Sequence, residues 1–107
     1  MTLMGNPERA GKPNKKQEET LVHDCVIINK LGLHARPAAL FVKTSNRFES
    51  EIAVEKDGEE VNGKSIMGLM MLAAGCGSKI RIKATGLDAQ EAISEIEKLI
   101  NRKFDEE

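Results

Sequence analysis

His34 and Arg36 stand in one short run, Gly32-Leu33-His34-Ala35-Arg36-Pro37-Ala38, whose residue types suit the handling of a phosphoryl group. An imidazole is a nucleophile near neutral pH. A guanidinium presents a planar fork of donors that matches phosphate oxygens. Gly32 permits a sharp turn because it has no Cβ. Pro37 suits the first turn of a helix, where its missing N–H would have had no intrahelical partner. His34 is therefore expected at or just before a helix N-terminus. There the backbone amides of Ala35 and Arg36 would add free donors and the positive end of the helix dipole. A lone histidine before a helix is most often a surface residue. The conjunction of glycine, histidine, arginine and proline points instead to a phosphate-carrying site. The other histidine, His23, lies between Val22 and Asp24 with no such neighbours and is expected as a surface strand residue.

A second constellation centres on Ser65, which follows Asn62-Gly63-Lys64 and precedes the apolar run Ile66 to Leu72. Serine is a favoured N-cap, so Ser65 should open a short helix. That run holds more apolar side chains than one buried face requires. Leu69 and Leu72 are assigned to the core. Ile66, Met67 and Met70 are read as an exposed docking patch, since methionine adapts to several partners. Lys43, Arg47 and Lys64 would ring it with positive charge and steer acidic surfaces.

Several elements must position these residues. Leu21 to Asn29 reads as a first strand with apolar residues on both faces, so alternation does not choose the inner one. Ala35 to Phe48 reads as a helix with Ala38, Phe41, Val42, Ser45 and Phe48 on one face and Lys43 and Arg47 together on another. Glu51 to Glu55 alternates as a strand, Lys56-Asp57-Gly58 signals a tight turn, and Glu59 to Asn62 returns as a short strand. Lys79 to Thr85 alternates cleanly with Ile80 and Ile82 inward. Asp88 should cap a last helix running through Phe104, with Ala92, Ile93, Ile96, Leu99 and Ile100 buried. Asp105-Glu106-Glu107 reads only as an acidic end. The order βαββαβα predicts an α+β fold: a four-stranded antiparallel sheet with three helices on one face.

Composition narrows the function. The chain of 107 residues suffices for one domain, and its formal net charge of −1 offers no strong field for nucleic acid. With no Trp or Tyr and three Phe, an RNA-binding domain of similar topology would lack its stacking platform. No apolar run approaches the roughly 18 residues of a membrane span, and no signal-peptide region is seen. Neither metal-ligand spacing nor a nucleotide loop is present, so no metal and no cofactor is expected. Residues 1–19 are polar and broken by Gly, Pro and Asn, and are expected as a disordered extension before a domain at 20–107. Cys25 and Cys76 are most simply small buried apolar residues, while a disulfide between them stays open.

The run Gly32-Leu33-His34-Ala35-Arg36-Pro37 resembles the phosphohistidine signature of HPr, the phosphocarrier of the bacterial phosphoenolpyruvate:sugar phosphotransferase system. Asn62-Gly63-Lys64-Ser65-Ile66-Met67-Gly68-Leu69-Met70 resembles the same family's regulatory-serine segment. The resemblance covers about residues 21–104 and implies the HPr-type open-faced β-sandwich. It implies that His34 is phosphorylated, that Arg36 partners the phosphate, and that Ser65 is the target of a separate serine kinase/phosphorylase. It further implies enzyme I as donor, enzyme II A domains as acceptors, and a monomeric cytoplasmic protein that turns over no substrate alone. Ile28-Asn29-Lys30-Leu31-Gly32 and Phe104-Asp105-Glu106-Glu107 look somewhat like a nitrogen-related branch, whereas the Ser65 segment looks more like the sugar branch regulated by a serine kinase. The alternative is thus a regulatory interaction module of a nitrogen-related or incomplete phosphotransferase system, with transcriptional regulators among its partners.

Overall fold

The computed structural model describes residues 20–106, so the expected extension at 1–19 lies outside the described residues. The elements in order are β1 (Thr20–Val26), α1 (Ala35–Ser45), β2 (Glu51–Lys56), β3 (Glu59–Asn62), α2 (Ile66–Met71), β4 (Lys79–Thr85) and α3 (Ala89–Asn101). A single 3-10 turn, Lys103–Asp105, follows. The strands form one antiparallel sheet in the order β1-β4-β2-β3. All three helices pack on one face of it, as the sequence order predicts.

Register shows how the sheet is split into two faces. His23 lies opposite Ile82, Ile82 opposite Val54, and Val54 opposite Val61, so these four point towards the helices. The other face carries Asp24, Arg81, Glu55 and Glu60. Ion pairs cross it from Arg81 to Asp24 at 2.8 Å and from Lys83 to Glu60 at 2.8 Å. Solvated pairs of this kind add little stability, but they keep an open sheet face polar. Phe41, Val54, Leu69, Ile82, Ile96 and Phe104 are among the buried side chains between sheet and helices. Leu72 joins Leu69 there, as expected of both.

The hairpin turn follows its sequence signal. Asp57 and Gly58 take φ of 52° and 87°, the left-handed pair that joins two twisted strands without splaying them.

Four local expectations are revised. β1 ends at Val26 rather than Asn29, and Leu21, His23 and Cys25 turn inward while Val22 and Val26 face solvent. His23 is consequently no plain surface residue: its Nε2 lies 3.2 Å from Glu97 on α3. α1 ends at Ser45, because Asn46, Arg47 and Phe48 turn away through bonds such as Arg47 N–H to the Thr44 carbonyl at 3.1 Å. Arg47 therefore leaves the helix it was expected to share with Lys43. α3 stops at Asn101, and Lys103, Phe104 and Asp105 take φ of 59°, 54° and 60°. Such values cost a non-glycine residue about 1 kcal/mol or more; here they bury the Phe104 ring. The cysteines differ from each other. Cys25 is half-buried, and its thiol is pushed up to about 11 by burial first and then by Glu97 and Asp24, whereas Cys76 is exposed. Both thiols are free.

Asp88 sits at the α3 N-cap, but its side chain makes no cap bond. Its carboxylate instead accepts the Glu49 and Ser50 amides at 2.9 and 3.0 Å and the Ser50 hydroxyl. It thereby ties the exit of α1 to the start of α3. These bonds, the Ser50 hydroxyl's first, hold the Asp88 carboxyl below the usual carboxylate range. A carboxyl depressed on folding contributes stability that is present above the unfolded-state value of about 4 and lost as pH falls through the folded one. Asp88→Ala should cost about 1–2 kcal/mol at neutral pH, the carboxylate being partly solvated. Urea unfolding should show that difference shrinking in acid. A difference that stays constant from neutral pH to below the folded-state value would show that the carboxylate's charge plays no part.

Candidate phosphohistidine site

The loop before α1 is built around Gly32. Its φ is +74°, and a Cβ there would lie 2.5 Å from the Ala74 carbonyl oxygen and 2.7 Å from the Gly75 Cα. Only glycine lets the two loops close this far. Leu33 N–H donates to that same Ala74 carbonyl at 2.8 Å, and the Leu33 side chain is buried. Anchored in this way, the chain delivers His34 to the N-cap of α1 with extended backbone angles of −80° and −170°.

The His34 side chain is 38% exposed and makes no cap bond to its own helix. The first-turn amides of Ala35 and Arg36 have no preceding helical turn to bond to. They thus offer donors where an anion on the neighbouring imidazole would sit, and the helix dipole adds to them. Pro37 occupies the first turn without loss, and its ring is buried. Arg36 is exposed on that turn and enters no side-chain hydrogen bond or ion pair among the described residues.

The other predicted site residues divide. His34, Leu31, Leu33 and Met70 line one shallow hollow of about 310 Å³. Met70 thus comes beside the histidine, although 36 positions separate them in sequence. Ile66 and Met67 are 41% and 73% exposed on the same short helix. Ser65 is its N-cap, with the hydroxyl accepting the Gly68 amide at 3.0 Å. Lys43 is exposed in the last turn of α1. Lys64 is committed inward, its Nζ donating to the Phe48 carbonyl at 2.8 Å. Arg47 lies over the Phe48 ring at 5.3 Å and 3.8 Å from Glu95. The three cations are thus differently placed, and Lys43 is the least engaged of them.

Sequence reasoning missed four residues here. Leu31 and Met71 are 70% and 67% exposed and extend the apolar surface; Met71 stood in an apolar run that gave no hint of which members face solvent, and Leu31 stood alone between Lys30 and Gly32. Glu106 places Oε2 3.0 Å from His34 Nε2, and its Oε1 accepts the Asn29 amide at 3.0 Å. Asn29 is fully buried and also donates to the Gly32 carbonyl at 2.8 Å. No local signal announces a contact that spans 72 positions.

Comparison with known proteins accords with this geometry. Residues 22–102 match the family model described as the PTS HPr component phosphorylation site. Phosphocarrier protein HPr of Treponema pallidum is 49% identical over 81 residues, covering 76% of this chain and 92% of that protein. The crystal structure of HPr from Thermoanaerobacter tengcongensis superposes with a TM-score of 0.79 at 50% identity, over 81% of this chain and 98% of that one. Crh, a catabolite repression protein of Bacillus subtilis whose crystal structure is a swapped dimer, gives 0.64 at 50% identity, over 69% of this chain and 85% of that one. Fold and matches together define a small phosphocarrier protein. The chain belongs to the HPr family of the phosphotransferase system.

Proposed function

We propose that this protein accepts a phosphoryl group on His34 from phosphorylated enzyme I and hands it to enzyme II A domains. The observation that carries this reading is the partly exposed imidazole at the head of α1, beside the Ala35 and Arg36 amides. The hollow shared with Met70, together with exposed Ile66 and Met67, is the docking surface for donor and acceptor alike. Its small apolar area suits partners that must leave after each transfer. Lys43 serves as the peripheral cation, with Arg47 and Lys64 contributing charge from their anchored positions. A serine kinase/phosphorylase acts on Ser65. The protein works in the cytoplasm as a monomer; among the described residues no helix is long and apolar enough to cross a membrane.

Incubation with phosphoenolpyruvate and enzyme I should place one acid-labile, base-stable phosphate on the chain. Arg36→Glu should slow both uptake and delivery by about 10- to 100-fold, the worth of one charge-assisted bond to phosphate. Its melting temperature should be unchanged, since the side chain is exposed. Wild-type transfer rates in both directions would remove Arg36 from the site.

A second reading is favoured by the likeness to Crh. Here the protein is a regulatory interaction module of a nitrogen-related or incomplete system, and transcriptional regulators read phosphate on Ser65 or His34. A chain that the serine kinase labels, but enzyme I does not, would select a readout through Ser65.

A further inference from the structure

We propose that Glu106, held by Asn29, is a positioning residue that keeps the proton of the His34 ring on Nε2 and thereby presents Nδ1 as the nucleophile. This rests on His34 being the phosphoacceptor. An ionised carboxylate can only accept hydrogen bonds, so the hydrogen in the 3.0 Å contact between Glu106 Oε2 and His34 Nε2 belongs to the ring. In the neutral imidazole the lone pair then lies on Nδ1. The same division of labour, with a carboxylate on one ring nitrogen and chemistry at the other, orients histidine in hydrolase triads.

The carboxylate is itself held from two sides. Its side chain is only 16% exposed, against 38% for His34. Oε1 accepts from Asn29 Nδ2 at 3.0 Å, and that nitrogen's second hydrogen goes to the Gly32 carbonyl at 2.8 Å. A flipped Asn29 amide would turn its oxygen towards two acceptors, so its orientation follows from its neighbours. Buried Phe104, reached through the left-handed turn at 103–105, anchors the tail that carries Glu106. A residue near the end of the chain and one before Gly32 thus jointly fix the ring.

In transfer, the Nδ1 lone pair forms the new N–P bond while the donor's bond to phosphorus breaks, and the donor leaves with that electron pair. The ring, still protonated on Nε2, becomes cationic. Glu106 accepts that N–H and offsets the charge, on the side of the ring away from the phosphate.

The test uses the full chain labelled with nitrogen-15 in its histidines, with the ring neutral. Wild-type His34 should show Nε2 protonated and Nδ1 free. In Glu106→Gln the oxygen keeps the Asn29 bond and the amide N–H turns to Nε2, so the proton should move to Nδ1. Phosphate uptake from enzyme I should then fall about 10- to 100-fold, as when an orienting partner of an imidazole is lost. Glu106→Ala should show mixed tautomers and a smaller loss. Melting temperatures of both should stay near wild type; if Glu106→Gln melts early, the ring signals of Glu106→Ala decide. Unchanged tautomers, or wild-type uptake by Glu106→Gln, would overturn the positioning role while leaving His34 as acceptor. Phosphate on His34→Ala would overturn the phosphoacceptor reading itself.

Discussion

His34→Ala should take up no phosphate from phosphoenolpyruvate and enzyme I, whereas His23→Ala should be labelled like the wild type. The comparison is demanding because the two histidines share several features. Both side chains are a little over one third exposed, at 36% and 38%, and each places Nε2 near a glutamate, at 3.2 and 3.0 Å. Exposure and a neighbouring carboxylate therefore do not separate them. Backbone surroundings do. His23 lies within β1, opposite Ile82, where the neighbouring amides are part of a strand ladder. His34 stands at the head of an 11-residue helix, beside two amides that no preceding turn can satisfy. A phosphoryl group arriving at His34 meets donors and a positive dipole end; at His23 it would meet Glu97. Labelling with phosphoenolpyruvate bearing phosphorus-32, followed by acid and base treatment, reads the outcome directly. Phosphate on His34→Ala, or its loss from a folded His23→Ala, would reverse the assignment.

Ser65→Asp should keep the fold and slow phosphotransfer from enzyme I to His34 by about tenfold or more, the scale of a like charge brought into a docking surface. The fold should survive because the Ser65 hydroxyl accepts the Gly68 amide at 3.0 Å, and aspartate is an equally good cap. Docking should suffer because the new charge sits at the head of the helix that presents Ile66, Met67 and Met70. Met70 lines the same hollow as His34. Lys64, next in sequence, already donates its ammonium to the Phe48 carbonyl and can compensate only in part. A true phosphoserine carries about −1.5 to −2 charges at pH 7 and should act more strongly than the aspartate. Transfer rate and melting temperature are to be measured on the same variant. A normal rate with an intact fold would reduce Ser65 to a helix cap.

The sequence by itself determined the features that arise within a few residues. Gly32 and Pro37 bracket His34 at a helix start because a left-handed turn and a missing N–H are properties of single residues. Ser65 announced its cap, Asp57-Gly58 its turn, and the alternation of β4 its inner face, each through local backbone or side-chain periodicity. From these signals followed the element order, the four-stranded antiparallel sheet and the place of the candidate histidine. Tertiary structure decided whatever depends on which distant groups meet. β1 carried apolar residues on both faces, and only its pairing with β4 and the helices above turned His23 inward rather than Val22. Asp88 read as a helix cap, but the exit of α1 supplied stronger donors in Glu49 and Ser50 and took its carboxylate. The tail read only as a short acidic end. The burial of Phe104 bent it back, and Glu106 came to rest on a ring 72 positions away. Such contacts leave no local trace in a sequence, because their favourable free energy exists only once the intervening chain has folded.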